Sequence, residues 1–411
     1  MAKVVIAMSG GVDSSVAAAL LKRAGFNVVG VFMKFWKPRN KADYNADLRG
    51  FENRCCTLEA ERRARKVAKI LKIPFYVFNF EKEFKKKIVD YFLKEHKAGR
   101  TPNPCVVCNK EIKFGLLLEK ALKLDADFVA TGHYARLRQS DPNLRIASEL
   151  SEYSEHSDVN SDHSDRILLK AKDKNKDQSY FLWMLNQKQL KKILFPIGDY
   201  TRKEVENLAK KFKLPVLKAR KSVEICFIQT TIDDFLKKYL KENPGKIIDT
   251  RGETIGTHQG LYYYTIGQRK GLGLVGGPAF AKATAGKPYY VLDKDLKKNL
   301  LIVTKNEKDL YKKELTAKNV NWISGKEPKL PLKIKAKIRY RSQLAPATIY
   351  HPEGKPSASH GAGLKSNIYH LKFEKPQRAI TPGQSVVFYS SPTKNLVGDK
   401  GQELLGGGII G

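Results

Sequence analysis

The first 21 residues combine a strand pattern, a tight turn and a helix pattern in direct succession. Residues 4–8 are the apolar run VVIAM, residues 9–15 are the small polar turn SGGVDSS, and residues 16–21 are the run VAAALL. Two consecutive glycines permit backbone dihedrals that other residues resist, and they let the backbone approach a ligand closely. The free N–H groups and the dipole of the following helix favour an anion at this turn. The pattern therefore predicts a βα unit with a phosphate-binding turn.

The turn contains no lysine, so it differs from the GxxxxGK[ST] phosphate loop of common nucleoside triphosphatases. Its letters SGGVDS instead resemble the loop of ATP pyrophosphatases, which adenylate a carbonyl oxygen and release pyrophosphate. The hydroxyls of Ser9, Ser14 and Ser15 add hydrogen-bond donors for such an anion. The alternative is a glycine-rich turn that binds no ligand. The presence of the whole motif at the N-terminus favours a nucleotide site.

A formal net charge of +34 is the second strong constraint. Charge of this size predicts a polyanionic partner, and the alternative is a lysine-rich chain with well-solvated faces. The length of 411 residues predicts two or three domains. No apolar run of about 18 residues, signal peptide or strongly amphipathic basic helix stands out, so we expect no membrane association. Five cysteines are too few for a disulfide scaffold, which predicts a cytoplasmic protein.

Strand and helix patterns alternate up to about residue 135, which predicts an α/β fold with a parallel sheet covered by helices. Short strand patterns follow from about residue 231, and those of the C-terminal part are typical of a barrel or sandwich. An acidic, serine-rich stretch at 141–165 cannot bury a core, so we predict a disordered insertion. Residues 279–286 and 356–367 are predicted to be two further insertions. Thr201 and Glu204 form the pattern of a helix capping box.

Two further segments contain cysteines in patterns that could carry chemistry. Cys105 and Cys108 form a CxxC pair in TPNPCVVCN, a segment predicted to be a loop stiffened by two prolines. CxxC spacing suits a redox pair, half of a zinc site or part of an iron–sulfur site. A four-cysteine zinc site would need the adjacent pair Cys55 and Cys56, whose spacing is poor. Cys226 lies in an apolar, strand-like run, where a buried structural cysteine is the default interpretation.

Six motifs occur here in one order: SGGVDS, TPNPxxxCNxxIKF, ATGHY, KDQSYF, ICFI and GLYYYTIGQRKGLG. Together they resemble the bacterial tRNA-specific 2-thiouridylase family (MnmA), from residue 3 to about residue 388. The resemblance implies an N-terminal doubly wound, parallel-sheet PP-loop domain (adenine nucleotide alpha hydrolase-like) over residues 1–230. A small central β domain over 231–288 and a tRNA-contacting β-barrel over 289–411 complete the expected architecture.

The activity implied by this resemblance is that of a tRNA-uridine 2-sulfurtransferase. Such an enzyme replaces the 2-oxygen of the wobble uridine by sulfur, in tRNAs for Lys, Glu and Gln. The implied partners are therefore ATP, tRNA and a sulfur donor such as a cysteine desulfurase or a relay protein.

The resemblance also assigns roles to individual residues. The ATP contacts it implies are Ala7, Met8, Ser9, Gly10, Gly11, Val12, Asp13, Ser14, Met33 and Gly132. Asp13 is expected to position magnesium and pyrophosphate. The residues that meet the flipped-out target base are Asn103, Pro104 and Cys105. The other implied tRNA contacts are His133, Lys176, Asp177, Gln178, Arg339, Tyr340 and Gln384.

The sulfur chemistry implied by the resemblance involves Cys226 as the persulfide carrier and Cys108 as the nucleophile. These two cysteines can pair in a disulfide when sulfur is transferred. The chain departs from the family at Cys105, where the best-known members carry an aspartate that is the candidate general base. Cys105, Cys108 and Cys226 could instead be three ligands of a 4Fe–4S cluster that holds sulfide. The match around Cys108 and Cys226 favours the persulfide route.

Two other classes of protein remain as alternatives. Small-molecule ligases and amidotransferases, such as GMP and NAD synthetases, share the SGGxDS loop but need neither the +34 charge nor the two cysteine motifs. A basic RNA-binding protein with a vestigial nucleotide fold would bind tRNA and release no pyrophosphate.

Overall fold

The computed structural model describes residues 1–37, 57–139, 165–217, 225–228, 230–272, 288–351, 367–391 and 401–411. The predicted insertions at 141–165, 279–286 and 356–367 lie outside these ranges except at residues 165 and 367. The pair Cys55 and Cys56 lies outside them as well.

The N-terminal part of the chain forms a parallel sheet, as its alternating pattern predicts. The strands in this part of the chain are β1 (Lys3–Ala7), β2 (Asn27–Lys34), β3 (Phe75–Asn79), β4 (Phe128–Thr131), β5 (Ala135–Gln139), β6 (Arg166–Lys170) and β7 (Ile193–Leu194). Five of them pair in parallel in the order β3-β2-β1-β4-β7. The order reverses between β1 and β4, and ligands of such sheets bind where the carboxyl ends of the strands meet this reversal. Strands β5 and β6 form a separate antiparallel pair.

The helices surround this sheet and continue into the central part of the chain. They are α1 (Val12–Arg23), α2 (Leu58–Leu71), α3 (Glu81–Phe84), α4 (Asp90–Lys97), α5 (Pro104–Cys108), α6 (Leu117–Leu122), α7 (Gln187–Leu190), α8 (Arg202–Lys211) and α9 (Ile232–Tyr239). π-helical segments at Lys85–Val89 and Asn109–Leu116 join α3 to α4 and α5 to α6. The capping box predicted at Thr201 and Glu204 is confirmed at the start of α8.

Two local predictions about the cysteine segments are wrong. The CxxC pair lies on α5 rather than on a loop, because Pro104 occupies the first turn of the helix, where a proline needs no N–H partner. The apolar run at Cys226 is not a strand over the described residues 225–228. It is a turn in which the N–H of Ile228 donates to the carbonyl oxygen of Ile225 at 3.1 Å.

The remaining strands form a small sheet and a barrel. The small sheet contains β8 (Gly245–Ile248), β9 (Thr254–His258), β10 (Tyr290–Asp295) and β11 (Leu300–Thr304) in the order β10-β11-β8-β9. The barrel strands are β12 (Tyr311–Trp322), β13 (Leu332–Lys337), β14 (Ala345–Tyr350), β15 (Ile368–Arg378), β16 (Ser385–Tyr389) and β17 (Leu404–Ile410). They close in the order β12-β15-β14-β13-β16-β17, which confirms the predicted β-barrel. Strands β10 and β11 follow residue 289 in sequence and belong to the small sheet.

One hydrophobic cluster joins the N-terminal part of the chain to the barrel. Val106 of α5 and Trp183 are buried in this cluster together with Val387 and Tyr389 of β16. A Cβ atom added to Gly407 of β17 would lie 2.8 Å from the indole of Trp183, so the barrel backbone and this ring are in close contact. The helix that carries the CxxC pair is therefore packed against both parts of the molecule.

No helix within the described ranges has the length and apolar character that would let it cross a membrane.

Candidate active site

The turn between β1 and α1 approaches the backbone of α2 so closely that only glycine fits. Gly10 has a φ of +73°, and a Cβ atom there would lie 2.2 Å from the carbonyl oxygen of Ala60. The N–H of Ser9 donates to Oγ of Ser14 at 3.1 Å, and Oγ of Ser15 donates to the carbonyl oxygen of Gly11 at 2.8 Å. The turn is therefore a closed loop at the N-terminus of α1, with the geometry expected of an anion-binding cradle.

The carboxyl end of β4 meets this loop. Gly132 follows β4 directly, and a Cβ atom there would lie 2.6 Å from the backbone nitrogen of Ser14. Met33, near the end of β2, is partly buried against the same core. The structure thus brings Gly132 to the loop and places both where β1 and β4 end. The residues present fit a nucleotide, because a closed glycine loop and a second glycine border the crevice expected from the strand order.

Three side chains that the sequence did not single out contact this loop. Nε of Arg63 donates to the carbonyl oxygen of Gly10 at 3.1 Å. The Tyr134 hydroxyl donates to Oδ1 of Asp13 at 2.8 Å, and Nη1 of Arg202 lies 2.7 Å from the same oxygen. Tyr134 belongs to the ATGHY motif and Arg202 follows the capping residue Thr201, but neither pattern indicates a contact with Asp13.

The Asp13 carboxylate affects the ionisation of both partners. Burial, with Asp13 beside the hydroxyl, raises the pKa of Tyr134 above its ordinary range. Burial alone would lower the pKa of the Arg202 guanidinium, but Asp13 and Glu206 raise it overall. Tyr134 is therefore a neutral donor and Arg202 a fixed cation, and both face a single carboxylate oxygen.

The two cysteines of the CxxC pair differ in exposure. Cys105 is partly exposed, whereas Cys108 is only 7% exposed and borders the core of the N-terminal domain. Residues three apart in a helix lie on one face, so the two thiols share one side of the α5 segment. Cys226 is partly buried against the same core. Its neighbour Phe227 is anchored by the rings of Phe84, Phe92 and Phe235, at centroid distances of 5.8, 5.5 and 5.5 Å.

The described residues do not form a metal site. Among them, no three His, Cys, Asp or Glu side chains lie together in a way that could hold a metal ion. An iron–sulfur cluster would place the thiolates of Cys105, Cys108 and Cys226 each on a different iron, so it stays an alternative prediction.

The residues before α5 are attached to the barrel. The N–H of Thr101 donates to the carbonyl oxygen of Pro382 at 2.9 Å, and Nε2 of Gln384 donates to the carbonyl oxygen of Thr101 at 2.8 Å. Gly383 has a φ of +89°, and a Cβ atom there would lie 2.9 Å from both Cβ of Arg100 and the nitrogen of Thr101. Gln384, predicted to contact tRNA, thus lies against the segment predicted to meet the target base.

His133 is buried beside the nucleotide loop. Its Nδ1 lies 2.7 Å from Oγ1 of Thr131, its Nε2 lies 3.5 Å from Nζ of Lys113, and the ring packs between Phe114 and Phe195. Burial, and to a smaller extent Lys113, lowers the pKa of His133 well below its ordinary value. The imidazole is therefore neutral at pH 7, and its contact with tRNA stays a prediction.

The segment at 176–178 is an ordered turn that packs beside Tyr134. Oδ1 of the buried Asp177 accepts from the N–H of Ala171 at 3.0 Å, and its Oδ2 accepts from Oγ of Ser179 at 3.1 Å. Oε1 of Gln178 accepts from the N–H of Tyr134 at 3.0 Å. Lys176 remains partly exposed. The side chains of Asp177 and Gln178 thus make contacts within the protein.

Arg339 also makes contacts within the protein. Its Nη2 donates to the carbonyl oxygens of Ile266 and Ala379 at 3.2 and 2.9 Å, and to Oγ1 of Thr381 at 2.7 Å. These bonds join the segment between β9 and β10 to the barrel. The adjacent Tyr340 packs its ring on Phe181, with centroids 4.5 Å apart. The roles of Arg339 and Tyr340 as tRNA contacts stay predictions.

Three families of known domains match consecutive parts of the chain. They are described as tRNA methyl transferase HUP domain over residues 2–230, tRNA methyl transferase PRC-barrel domain over 233–305 and aminomethyltransferase beta-barrel domain over 312–410. These ranges cover the parallel sheet, the small sheet and the closed barrel in turn.

Curated relatives match nearly the whole chain. The tRNA-specific 2-thiouridylase MnmA of Alkaliphilus oremlandii is 44% identical over 390 residues, which are 94% of this chain and 93% of the relative. The tRNA-specific 2-thiouridylase MnmA of Clostridioides difficile is 41% identical over 411 residues, which are 99% of this chain and 98% of the relative. At this identity and coverage, the chain belongs to the tRNA-specific 2-thiouridylase (MnmA) family.

Proposed function

We propose that this protein catalyses ATP-dependent 2-thiolation of the wobble uridine in tRNAs for Lys, Glu and Gln. The observation that carries the proposal is the glycine cradle at Gly10 and Gly132, at the sheet reversal of a chain whose relatives are tRNA 2-thiouridylases. The +34 net charge supports a polyanionic substrate. The reaction takes place in the cytoplasm, with a cysteine desulfurase or a relay protein as the sulfur donor.

The first step is adenylation of the uracil 2-oxygen. The 2-carbonyl of uracil is a poor electrophile, so its oxygen must first become part of a leaving group. The oxygen attacks the α-phosphorus of ATP, pyrophosphate leaves, and the N3 proton of uracil passes to solvent, from which it returns once the 2-thione has formed. The N–H groups of the loop at residues 9–14 stabilise the phosphate charge. A magnesium ion accompanying ATP would neutralise phosphate charge, and Asp13 is the residue that would hold it. One carboxylate suffices because the phosphates and water supply the other ligands.

The second step transfers sulfur to C2. The terminal sulfur of a persulfide on Cys226 attacks C2, its proton is lost, and AMP leaves with the former 2-oxygen. The Cys108 thiolate then attacks the Cys226 sulfur, which forms a Cys108–Cys226 disulfide and leaves the second sulfur on C2. An external thiol reductant returns both cysteines to thiols before the next turnover. Phe227, next to Cys226, packs on Phe84 at the end of α3, and the π-helical segment Lys85–Val89 that follows contacts α5. Both cysteines thus adjoin one helical region, which supports this route.

The tRNA is proposed to approach where the barrel meets the segment at residues 101–104. A flipped uridine would meet Asn103, Pro104 and Cys105. The residues proposed to contact the rest of the tRNA are His133, Lys176, Asp177, Gln178, Arg339, Tyr340 and Gln384. Thr101 donates its N–H to the Pro382 carbonyl oxygen and accepts from the Gln384 amide. These bonds support a preformed base pocket, because they fix the backbone of the segment that carries Asn103, Pro104 and Cys105.

The decisive experiment reconstitutes thiolation with purified protein, unmodified tRNA, ATP and a persulfide donor. We expect pyrophosphate release and 2-thiouridine from the wild type, and no 2-thiouridine from Cys108→Ser or Cys226→Ser. Cys105→Asp, which restores the residue common in the family, should retain most of the activity. Tight tRNA binding without pyrophosphate release would instead support the non-enzymatic RNA-binding alternative.

The same preparation distinguishes the two sulfur routes. Colourless, iron-free protein purified without oxygen should thiolate tRNA from the persulfide donor if the persulfide route is correct. Brown protein with several irons per chain, which loses colour and activity in Cys105→Ala but still binds ATP, would establish the cluster route instead.

A further inference from the structure

The carboxylate of Asp13 is held by two residues that come from different parts of the fold. The Tyr134 hydroxyl donates to its Oδ1 at 2.8 Å from just beyond β4, and Nη1 of Arg202 reaches the same oxygen at 2.7 Å from the first turn of α8. A neutral donor and a cation on one oxygen restrict the rotation of the carboxylate. The orientation of Asp13 therefore depends on residues outside its own loop.

Both holding residues are themselves attached to the segment Asp173–Gln178. Gln178 binds Tyr134 twice, because its Oε1 accepts from the N–H of Tyr134 at 3.0 Å and its own N–H donates to the Tyr134 carbonyl oxygen at 2.8 Å. Oδ2 of Asp173 accepts from the N–H of Arg202 at 2.9 Å. Oδ1 of Asp173 accepts from the N–H groups of Asn175 and Lys176, at 2.9 and 3.2 Å. Two chains of hydrogen bonds thus connect the segment Asp173–Gln178 to the Asp13 carboxylate. One runs through Gln178 and Tyr134, and the other runs through Asp173 and Arg202.

We infer that Tyr134 and Arg202 are positioning residues for Asp13, and that through them the segment Asp173–Gln178 sets the affinity of the loop for ATP. The inference rests on the proposed function, in which this loop binds ATP and Lys176, Asp177 and Gln178 contact tRNA. It extends that function because the segment then acts on the nucleotide as well as on the RNA.

The test measures binding of Mg²⁺ with a non-hydrolysable ATP analogue by calorimetry, in the absence of tRNA. Tyr134→Phe removes only the hydroxyl, so we expect about 10-fold weaker binding from the loss of one hydrogen bond to a charged group. Arg202→Gln should weaken binding about 10- to 100-fold, because the positive charge beside Asp13 is lost together with the hydrogen bond. Lys203→Gln is its matched control, since Lys203 is exposed on the next position of the same helix. It should bind the analogue like the wild type.

Gln178 distinguishes a positioning role from a role in tRNA binding alone. Gln178→Leu removes the acceptor for Tyr134 and should weaken analogue binding about 3- to 10-fold, whereas Gln178→Glu keeps an acceptor and should restore it. Lys174→Gln, an exposed change in the same segment, should leave analogue binding unchanged. The double variant Tyr134→Phe with Gln178→Leu should bind the analogue no more weakly than Tyr134→Phe does. Both changes break the same connection, which runs through Gln178 and Tyr134.

The outcomes separate this inference from the proposed function. Wild-type affinity for the analogue in Tyr134→Phe and Gln178→Leu, with weaker tRNA binding in Gln178→Leu, would overturn the inference and leave the proposed function intact. Failure of the wild type itself to bind the analogue would instead overturn the ATP-dependent function. If Gln178→Leu does not fold, Tyr134→Phe and Arg202→Gln decide the inference by themselves.

Discussion

The turn at residues 9–14 and the segment at residues 101–105 both belong to the candidate active site, but they are held in place differently. The turn is closed by hydrogen bonds among its own residues and backed by the first turn of α2. The segment is held by Pro382, Gly383 and Gln384 of the barrel, far along the chain. In the proposed function, ATP chemistry therefore depends on the N-terminal domain, whereas the segment at residues 101–105 presents the target base and depends on how the barrel docks.

The largest effect is expected from Gly10→Ala. The new Cβ would lie 2.2 Å from the Ala60 carbonyl oxygen at a φ of +73°, so the loop must move. A displacement of about 1 Å can cost about 100-fold in rate, and we expect at least that loss of pyrophosphate release with tRNA affinity unchanged. Gly25→Ala is the control, because its φ is +82° and a Cβ atom there has no heavy atom within 4 Å. Equal losses in both variants would mean that backbone strain, rather than the cradle, explains the result.

A smaller and different effect is expected from Gly383→Ala. Its Cβ would lie 2.9 Å from the nitrogen of Thr101 and would push the base-presenting segment away from the barrel. We expect thiolation to fall about 10-fold while affinity for an ATP analogue stays at the wild-type value. Gly325→Ala, at a φ of +73° with no heavy atom within 4 Å of its Cβ, should retain activity. A matching loss of ATP affinity in Gly383→Ala would show that the two regions are not independent.

The junction behind the base-presenting segment should also depend on pH. His96 contacts the Tyr262 carbonyl oxygen at 3.1 Å, and burial lowers its pKa from 6.5 to about 4. Because the pKa of His96 is lower in the folded state than in the unfolded state, the neutral imidazole stabilises the folded protein. This contribution is complete above about pH 6.5 and is lost as the pH falls towards 4. The His96 contribution should reach about 3 kcal/mol across this window. Urea unfolding of the wild type and His96→Asn at several pH values measures it, and identical pH slopes would contradict the assignment.

The smallest effect is expected from replacing residues 141–165 by a short Gly/Ser turn. Gln139 and Arg166 are cross-strand partners in the β5–β6 pair, so a short turn can connect these strands. We expect the free energy of unfolding to change by less than about 0.5 kcal/mol, and thiolation to remain within about twofold of the wild type. Loss of soluble protein, or of activity, would show that this stretch contributes to one of the two regions compared above.

Much of the architecture could be predicted from sequence because it follows from local patterns. Alternating strands and helices predicted the parallel sheet, the Thr201 and Glu204 pattern predicted the start of α8, and short strand patterns predicted a barrel or sandwich. The local structure of the two cysteine segments was harder to predict. Apolar residues around Cys226 resemble a strand, but the described residues there form a turn, since burial alone does not distinguish the two. Two prolines suggested a loop at Cys105, although Pro104 in fact begins a helix.

The sequence by itself determined the nucleotide loop, because glycine dihedrals and the N-terminal groups of a helix are properties of adjacent residues. Only the tertiary structure decided which side chains complete the site. Tyr134 and Arg202 reach Asp13 across 121 and 189 residues, and Gln384 reaches Thr101 across 283 residues. Such contacts leave no periodic signal in the chain, because they depend on how sheet, helices and barrel pack together.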